Sequence, residues 1–498
     1  MVPSTVEDAG SPNEGRQQTQ IDPDSSYVEI RPVREKWVAL VIMCLCRAAV
    51  DIDSGLLPFF FKEFQGRFGV SQTSLSTLTM TKGAVVALSA FVSGFLGERF
   101  NRPLLIGLGM LFWSVGLVLC SVAWSFDMIF IGRMLNGMAL GVVEPVGWSL
   151  TAELTPPSKR GFAFGACRFV GVTCHALFGL VATSFATTTV FGVTGWRLAI
   201  QAVAVFSSLL AVAVMLLVAD PSTRHLTDKS RKDVVSVFTN NMPKVLQLFR
   251  CPTLVLLLLQ GPFNEAQWKV WAFLTQYLEL SCFTHAQSGL IVSTFGWARG
   301  FAYLMSGYVL DWVVRRSPNR GPPVMANASK VICIVFSALI FLMLPKPAAL
   351  GEGRSVLAGY MSTFVLFGLG VSLGPTVCSK ILTDIVPPGL FTYVFAVELL
   401  VEDGLGSFAA LLVGVVTDKV FHYDQHATWK GGCAPEEARK LGMGMFWVCT
   451  VAWSVCLCVY LMMHYTYPRD RQRPLQAMHA GAEPQREKPI GESTGGTA

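Results

Sequence analysis

The chain has few charged residues. Asp, Glu, Lys and Arg make up 14% of its 498 residues, whereas soluble domains carry about 25%. Hydrophobic residues make up 52% of the chain, and its mean hydropathy is +0.49. A soluble protein of this length needs a more polar surface to cover its core. The composition therefore excludes an ordinary soluble protein and indicates a membrane protein.

Motifs of several functional classes are also missing. No Gly-x-x-x-x-Gly-Lys-Ser/Thr loop is present, which argues against ATP drive. The loops show no nucleophile–base arrangement, so we do not expect an enzyme. No basic–aromatic array indicates nucleic-acid binding, and we predict neither a cofactor nor a metal site. The first 36 residues lack the apolar run of a cleavable signal peptide.

Long apolar stretches recur from residue 37 to residue 466. Each is long enough to cross the hydrocarbon core as a helix of about 20 residues, and none shows the alternation of a membrane barrel. We therefore predict an all-α membrane protein with twelve transmembrane helices. The predicted spans are 37–61, 76–96, 104–124, 127–150, 161–185, 196–218, 252–278, 286–312, 324–345, 356–380, 390–417 and 443–466.

Lys and Arg collect before span 1, after spans 2, 4, 8 and 12, and between spans 6 and 7. Basic residues mark cytosolic loops, so we predict both termini in the cytosol, of a plasma or an internal membrane. The predicted regions are a disordered cytosolic tail (1–36), an N-terminal six-helix bundle (37–218), a cytosolic linker (219–251), a C-terminal six-helix bundle (252–466) and a disordered cytosolic tail (467–498).

Many of the thirteen cysteines lie inside apolar runs, where cysteine packs as a small hydrophobic residue. Cys282 and Cys433 both fall on the predicted outside. The sequence leaves open whether these two form a disulfide.

An internal repeat relates the two predicted bundles. Span 2 ends in GFLGERFNR (94–102) and span 8 in GYVLDWVVRR (307–316), each with Gly, three residues, an acid and then arginines. Span 4 leads into TAELTPP and span 10 into LTDIVPP, each with an acid three residues before a Pro-Pro pair. Such repeats are typical of transporters that rock two halves around a central site.

These motifs resemble those of the major facilitator superfamily. GFLGERFNRP resembles its loop motif Gly-x-x-x-Asp-Arg-x-x-Arg, with Glu in place of Asp, and GRMLNGMALGVVEP (132–145) resembles its fourth-span motif. The resemblance implies a charge cluster that latches the cytosolic face, and close helix contact at the glycines. The implied cytosolic gate motif is Gly94, Glu98, Arg99, Arg102, Gly307, Asp311, Arg315 and Arg316, and the implied span-4 motif is Arg133, Gly137, Gly141, Glu153 and Arg160.

Two patterns of individual branches are absent. Span 5 lacks the Gly-Pro-x-x-Gly-Gly of many antiporters, and VADPSTRHL (218–226) only faintly matches the sugar-porter motif. DIDSGLLPFFFKEF (51–64) is similar to the first span of spinster-like lipid carriers, and also to organic-anion branches.

Charged residues inside the predicted spans indicate a polar cavity, because each costs about 3 kcal/mol near the bilayer centre. The candidate cavity or coupling residues are Asp51, Glu144, Arg168, His175, Glu265, Arg299, Glu398 and Glu402. Glu398 and Glu402 lie one turn apart, which suits proton binding. The alternatives are a Glu265–Lys269 pair with a structural role, a packing role for His175, an Asp53 solvated near the outer surface and a Lys82 that reaches a helix end.

The predicted function is secondary active or facilitative transport of a small organic solute by alternating access, with proton coupling as a further option. Cations and acids together suit an anionic or zwitterionic solute. Two alternatives remain: a spinster-like lysolipid or sphingolipid carrier, and a receptor-like membrane protein that transports nothing. We expect a monomer in the lipid bilayer.

Overall fold

The computed structural model describes most of the predicted transmembrane region as helix. The described residues are 33–155, 160–190, 192–220, 243, 247–347, 349–350, 352, 354–386, 391–424 and 433–481. Below, "first half" denotes the described residues of 33–220 and "second half" those of 247–481. The predicted boundaries of the two bundles stay a prediction, because most of the linker lies outside the described residues.

The first half contains seven helices and one small hairpin among its described residues. A 3₁₀ turn at Pro58–Phe60 connects the first two helices. The helices are α1 (Val33–Leu56), α2 (Phe61–Phe68), α3 (Gln72–Arg99), α4 (Arg102–Ser121), α5 (Phe126–Leu154), α6 (Arg160–Phe185) and α7 (Gly195–Leu217), and the hairpin is β1 (Thr189–Val190) with antiparallel β2 (Val193–Thr194).

The second half contains nine helices among its described residues, and its helices are more often interrupted. Two of them run into π-helical turns, at Leu339–Met343 and Val416–Val420. The helices are α8 (Pro252–Trp271), α9 (Leu274–Leu280), α10 (His285–Arg316), α11 (Gly321–Ala338), α12 (Arg354–Val371), α13 (Leu373–Ile385), α14 (Phe391–Gly406), α15 (Phe408–Val415) and α16 (Pro435–Gly481).

Polar caps set several helix starts. Ser71, Asn101 and Ser125 each accept a hydrogen bond from a backbone N–H in the first turn of α3, α4 and α5. Thr284 and Gln287 form a reciprocal capping box at the start of α10. These caps satisfy N–H groups that have no partner inside the helix, so they fix where the connections end.

Nine helices in the described part of the chain are long and apolar enough to span a membrane. Helices α1, α8 and α10 are not among these nine, although they match predicted spans 1, 7 and 8. Helix α1 carries Arg47, Asp51 and Asp53, and α8 carries Glu265 and Lys269. Polar side chains therefore lower the hydropathy of the helices on which cavity residues were predicted.

The first and last helices extend beyond the predicted spans. Helix α1 already begins at Val33, and α16 continues to Gly481 rather than ending near residue 466. The extension of α16 is tied to the rest of the second half. The Asp470 carboxylate accepts hydrogen bonds from the backbone N and Oγ1 of Thr253, at 2.9 and 2.7 Å, and Tyr467 donates to Asp384 at 2.7 Å.

The helices pack mainly within each half, and several contacts join the halves. Helix α6 packs on α10, and α3 packs on α14 and α15. Small residues permit the close approach: a Cβ at Gly83 of α3 would lie 1.9 Å from Ser407 Oγ, and one at Gly289 of α10 would lie 2.2 Å from Thr183 Oγ1. These three helix pairs therefore bring the two halves into close contact.

Glycine in the span-4 motif also permits close packing. A Cβ at Gly141 of α5 would lie 2.5 Å from the Val86 carbonyl oxygen and 2.9 Å from the Ala90 backbone nitrogen of α3. These are backbone atoms, which cannot move aside as a flexible side chain can.

We expect Gly141→Ala to lower the melting temperature, because overpacking costs about 1–3 kcal/mol. Gly359→Ala is the matched control, since a Cβ there would meet no atom within 4 Å and alanine favours a helix. Thermal unfolding of the two detergent-solubilised variants is the measurement. Equal melting temperatures would contradict the close α3–α5 contact.

Candidate functional site

Three glutamines join the halves on the predicted outer side. Gln276 of α9 donates through Nε2 to the side-chain oxygens of Gln65 of α2 and Gln72 of α3, at 2.8 and 2.9 Å. Gln65 also accepts from the hydroxyl of Tyr423 at 3.1 Å. The three glutamine side chains are almost fully buried. We call Gln65, Gln72 and Gln276 the glutamine cluster; it joins the two halves through uncharged amide groups.

A second buried cluster surrounds Asp53 of α1. Its carboxylate lies 2.7 Å from Lys82 Nζ and 3.1 Å from Arg133 Nη1, and it accepts from Asn136 at 2.9 Å and Trp113 at 3.2 Å. Asp53 is 0% exposed. Asp53 and Lys82 form an ion pair inside the bundle. The alternatives of a solvated Asp53 and of a Lys82 that reaches a helix end are therefore wrong. The cluster anchors the span-4 motif residue Arg133.

Arg47 organises the cavity of the first half. It forms ion pairs with Asp51 of the same helix and with Glu144 of α5, and its guanidinium lies 5.6 Å from the Trp148 ring centre. Arg168 of α6 lies over the same ring at 5.3 Å. The structure thus brings the candidates Asp51, Glu144 and Arg168 together. Arg47, Glu144 and Trp148 line one cavity with Met43, Thr151 and Cys167.

His175 of α6 packs at the edge of this region. Its ring lies 5.4 Å from the Phe59 ring, and a Cβ at Gly55 would lie 2.4 Å from its Nε2. Asp51 of the first half and Arg299 of the second are its charged neighbours. His175 therefore packs against Phe59, as the packing alternative predicted. It also lies where the two halves approach each other.

Helix α8 carries the polar residues of the second half. Lys330 Nζ donates to Asn264 Oδ1 at 2.6 Å, and Asn264 Nδ2 donates to Glu402 Oε1 at 3.1 Å. Lys269 lies 2.9 Å from Glu265 and from Asp403. The predicted Glu265–Lys269 pair is thus present, and Asp403 of α14 completes it.

Lys330 was missed in the sequence. It is 0% exposed in α11, and it is the single charged residue of the run VMANASKVICIVF (324–336). A lone lysine in the middle of an apolar span is costly, and this signal was sufficient to find it.

Arg299 of α10 lies in aromatic surroundings. Its guanidinium carbon is 4.0 Å from the Trp268 ring centre and 5.4 Å from that of Phe295. Its Nε is buried and donates to no described residue. Among the described residues, neither Arg299 nor Arg168 has a carboxylate within ion-pair distance.

Glu398 of α14 lies one turn from Glu402. It is 6% exposed, and within the described part of the chain it has no hydrogen-bond or ion-pair partner. Glu402 instead accepts from Asn264. The two glutamates therefore have different surroundings, which their sequence spacing did not reveal.

The structure describes the predicted cytosolic gate motif only in part. Arg102 Nη1 lies 2.6 Å from Glu153, which links the loop after span 2 to the end of span 4. Arg316 stacks on Trp312 at 4.2 Å. Asp311, Arg315 and Arg316 are exposed, a Cβ at Gly307 would meet no atom within 4 Å, and the side chains of Gly94, Glu98, Arg99 and Arg160 lie outside the described residues.

The remaining span-4 glycine, Gly137, also contacts α3: a Cβ there would lie 3.1 Å from the Lys82 carbonyl oxygen.

On the predicted outer side, Cys282 and Cys433 form a disulfide. This bond joins the loop after α9 to the segment before α16.

Comparison with known proteins gives the family. Residues 43–417 match the model of the Major Facilitator Superfamily. The chain is 23% identical to a probable 4-methylmuconolactone transporter of Cupriavidus pinatubonensis, over 76% of this chain and 83% of the relative. It is 24% identical to the 4-hydroxybenzoate transporter PcaK of Acinetobacter baylyi, over 36% of this chain and 38% of that protein.

Some matches are partial. An uncharacterized MFS-type transporter of Bacillus subtilis, YwfA, is 27% identical over 29% of this chain, which spans 33% of that relative. Among solved structures, an inward-facing bacterial homolog to the human lysosomal transporter Spinster has a TM-score of 0.70 at 17% identity, covering 89% of this chain and 99% of that one. The chain belongs to the major facilitator superfamily and is a multi-pass membrane transporter of small organic solutes.

Proposed function

We propose that the chain transports a small organic anion with an aromatic ring, by alternating access, and that Arg299 and Arg168 bind its carboxylate. The observation that carries the proposal is the pair of guanidinium groups beside tryptophans, without a carboxylate partner among the described residues. Arg299 is partly buried with its Nε enclosed, and Arg168 is exposed on a predicted span. A cation inside a membrane span without an acidic partner is costly. A bound carboxylate offsets that cost and accepts two parallel hydrogen bonds from the planar guanidinium.

The aromatic surroundings favour a ring in the substrate. Trp268 and Phe295 lie beside Arg299, and Trp148 lies beside Arg168. Each arginine therefore has an apolar surface next to its donors, on which a flat ligand can stack. The 4-hydroxybenzoate transporter among the relatives carries a solute of this chemistry, which supports the same class for this chain.

The spinster-like lipid alternative receives less support. The likeness to the spinster homolog, at 17% identity, concerns the fold alone. Arg168 lies on a helix of the first half and Arg299 on a helix of the second. A small solute between the halves can contact groups of both. We therefore rank a small aromatic carboxylate above a lysolipid.

We also propose that Glu398 binds the coupling proton. Of the candidate acids other than Glu398, Asp51 and Glu144 are paired with Arg47. Glu265 is paired with Lys269, and Glu402 accepts from Asn264. Glu398 is buried without a partner among the described residues. An ionised carboxylate in such surroundings costs several kcal/mol. Binding a proton removes the charge and with it this cost.

We expect Arg299→Gln to raise the KM for 4-hydroxybenzoate uptake by about 10–100-fold, because a hydrogen bond to a charged group contributes about 1.5–3 kcal/mol. Arg299→Lys should restore only part of the affinity, since a lysine lacks the planar fork. Uptake into proteoliposomes is the measurement, with benzoates, aromatic amines and lysolipids compared side by side.

Arg354→Gln is the control, because Arg354 begins α12 and is exposed. An unchanged KM in Arg299→Gln, or transport of aromatic amines or lysolipids in place of carboxylates, would show that the substrate class is wrong.

We expect Glu398→Gln to abolish the stimulation of uptake by a pH gradient while leaving exchange of labelled for unlabelled substrate intact, because glutamine is neutral at every pH. Glu352→Gln, at an exposed acid between α11 and α12, is the control. The measurement is uptake with and without a gradient, beside counterflow. Stimulation of Glu398→Gln equal to that of the unmodified protein would rule out Glu398 as the proton site.

A further inference from the structure

Three potential metal ligands meet on the predicted outer side, beyond the predicted spans. They are Glu63 of α2, Glu279 of α9 and His285 at the start of α10. Their ligand atoms all lie within 4.8 Å of one another. His285 Nδ1 is 2.8 Å from Glu279 Oε1 and 3.7 Å from Glu63 Oε1. We call these residues the outer triad. It draws one ligand from the first half and two from the second.

The spacing fits a small divalent ion. Zn²⁺ binds imidazole nitrogen and carboxylate oxygen at about 2.0–2.2 Å in tetrahedral sites, which places neighbouring ligand atoms about 3.3–3.6 Å apart. The distances in the outer triad lie on both sides of this value, so small side-chain rotations suffice. Two carboxylates and one imidazole suit zinc and related first-row metals, and a water molecule would complete the coordination.

The carboxylates are incompletely satisfied without a cation. Glu63 Oε2 and Glu279 Oε2 are buried and accept no hydrogen bond from a described residue. The side chains of Glu63 and Glu279 are only 9% and 1% exposed. Lys62 is adjacent in the chain, yet no ion pair joins it to either acid among the described residues. Two buried acids facing one imidazole thus leave unused oxygen atoms where an ion would lie.

The second half holds its two ligands firmly. The disulfide at Cys282 lies between Glu279 and His285 in the chain, and the capping box of Thr284 and Gln287 fixes the start of α10. The His285 side chain is 28% exposed, which gives an ion access from the predicted outside. The ligand of the first half, Glu63, lies two residues before Gln65 of the glutamine cluster.

We propose that Glu63, Glu279 and His285 form a site for a divalent transition-metal ion, for which Zn²⁺ fits best, and that the ion bridges the two halves when the outer side is closed. No metal site was predicted from the sequence. Opening of the outer side must separate Glu63 from the other two ligands. A bound ion therefore stabilises the closed outer side and slows the transport cycle, whatever the substrate is.

The test uses the purified full-length protein and Zn²⁺ alone. We expect one Zn²⁺ per chain by calorimetry or chelator competition, a higher melting temperature with Zn²⁺, because binding to the folded state stabilises it, and slower uptake when Zn²⁺ is added on the predicted outer side of proteoliposomes. His285→Ala should weaken binding by about tenfold or more, since removal of even an outer partner of a metal ligand costs about 10–100-fold.

Two exposed residues on the same predicted side serve as matched controls: His422→Ala and Glu436→Gln remove the same chemical groups and should leave binding unchanged. Glu63→Gln separates bridging from simple binding, because it leaves both ligands of the second half and should lose the slowing of uptake. The rise in melting temperature caused by 4-hydroxybenzoate is also measured in His285→Ala. It reports on the substrate site alone, so a failure of the metal proposal can be told from a failure of the substrate proposal.

Three outcomes would overturn the site. They are the absence of stoichiometric Zn²⁺ binding to the unmodified protein, an affinity in His285→Ala equal to that of the controls, and Zn²⁺ inhibition of Glu63→Gln as strong as that of the unmodified protein.

Discussion

A charge inside the hydrocarbon region costs about 3 kcal/mol on insertion scales, and most of the described structure around the cavity follows from that cost. Asp53 shows one solution: two cations, an amide and an indole surround one buried carboxylate. Arg47 with its two acids, and Lys269 with Glu265 and Asp403, repeat this solution. Such groups hold neighbouring helices in register.

The charges that are not compensated stand out against this background. Arg168 and Arg299 lie beside aromatic rings, Glu398 is buried alone, and the outer triad carries two acids for one imidazole. Arg168, Arg299 and Glu398 lack an ion-pair partner among the described residues, and the outer triad has fewer cations than acids. These groups are the basis of the three proposals made above, for a substrate anion, a proton and a metal ion. Structural and functional charges are thus separated by their partners rather than by residue type.

The fold and the family could be predicted from local patterns. Apolar runs, the placement of arginines and the repeated loop motif depend only on residues close together in the chain. The pairing of charges could not be predicted, because Asp53 meets Arg133 across 80 positions and Lys330 meets Asn264 across 66. The helical extension of α16 was missed for a similar reason, since Asp470 contacts Thr253, 217 positions away. No spacing rule reaches across such separations.

The glutamine cluster gives the outer closure a distinctive character. Amide groups carry no net charge, so their mutual attraction is neither screened by salt nor switched by protonation. When the cluster separates, each amide can exchange its partner for water with little net change in free energy. The contacts within the cluster itself are therefore insensitive to salt and to pH. Any dependence of the outer closure on salt or pH comes from charged groups nearby, such as the outer triad.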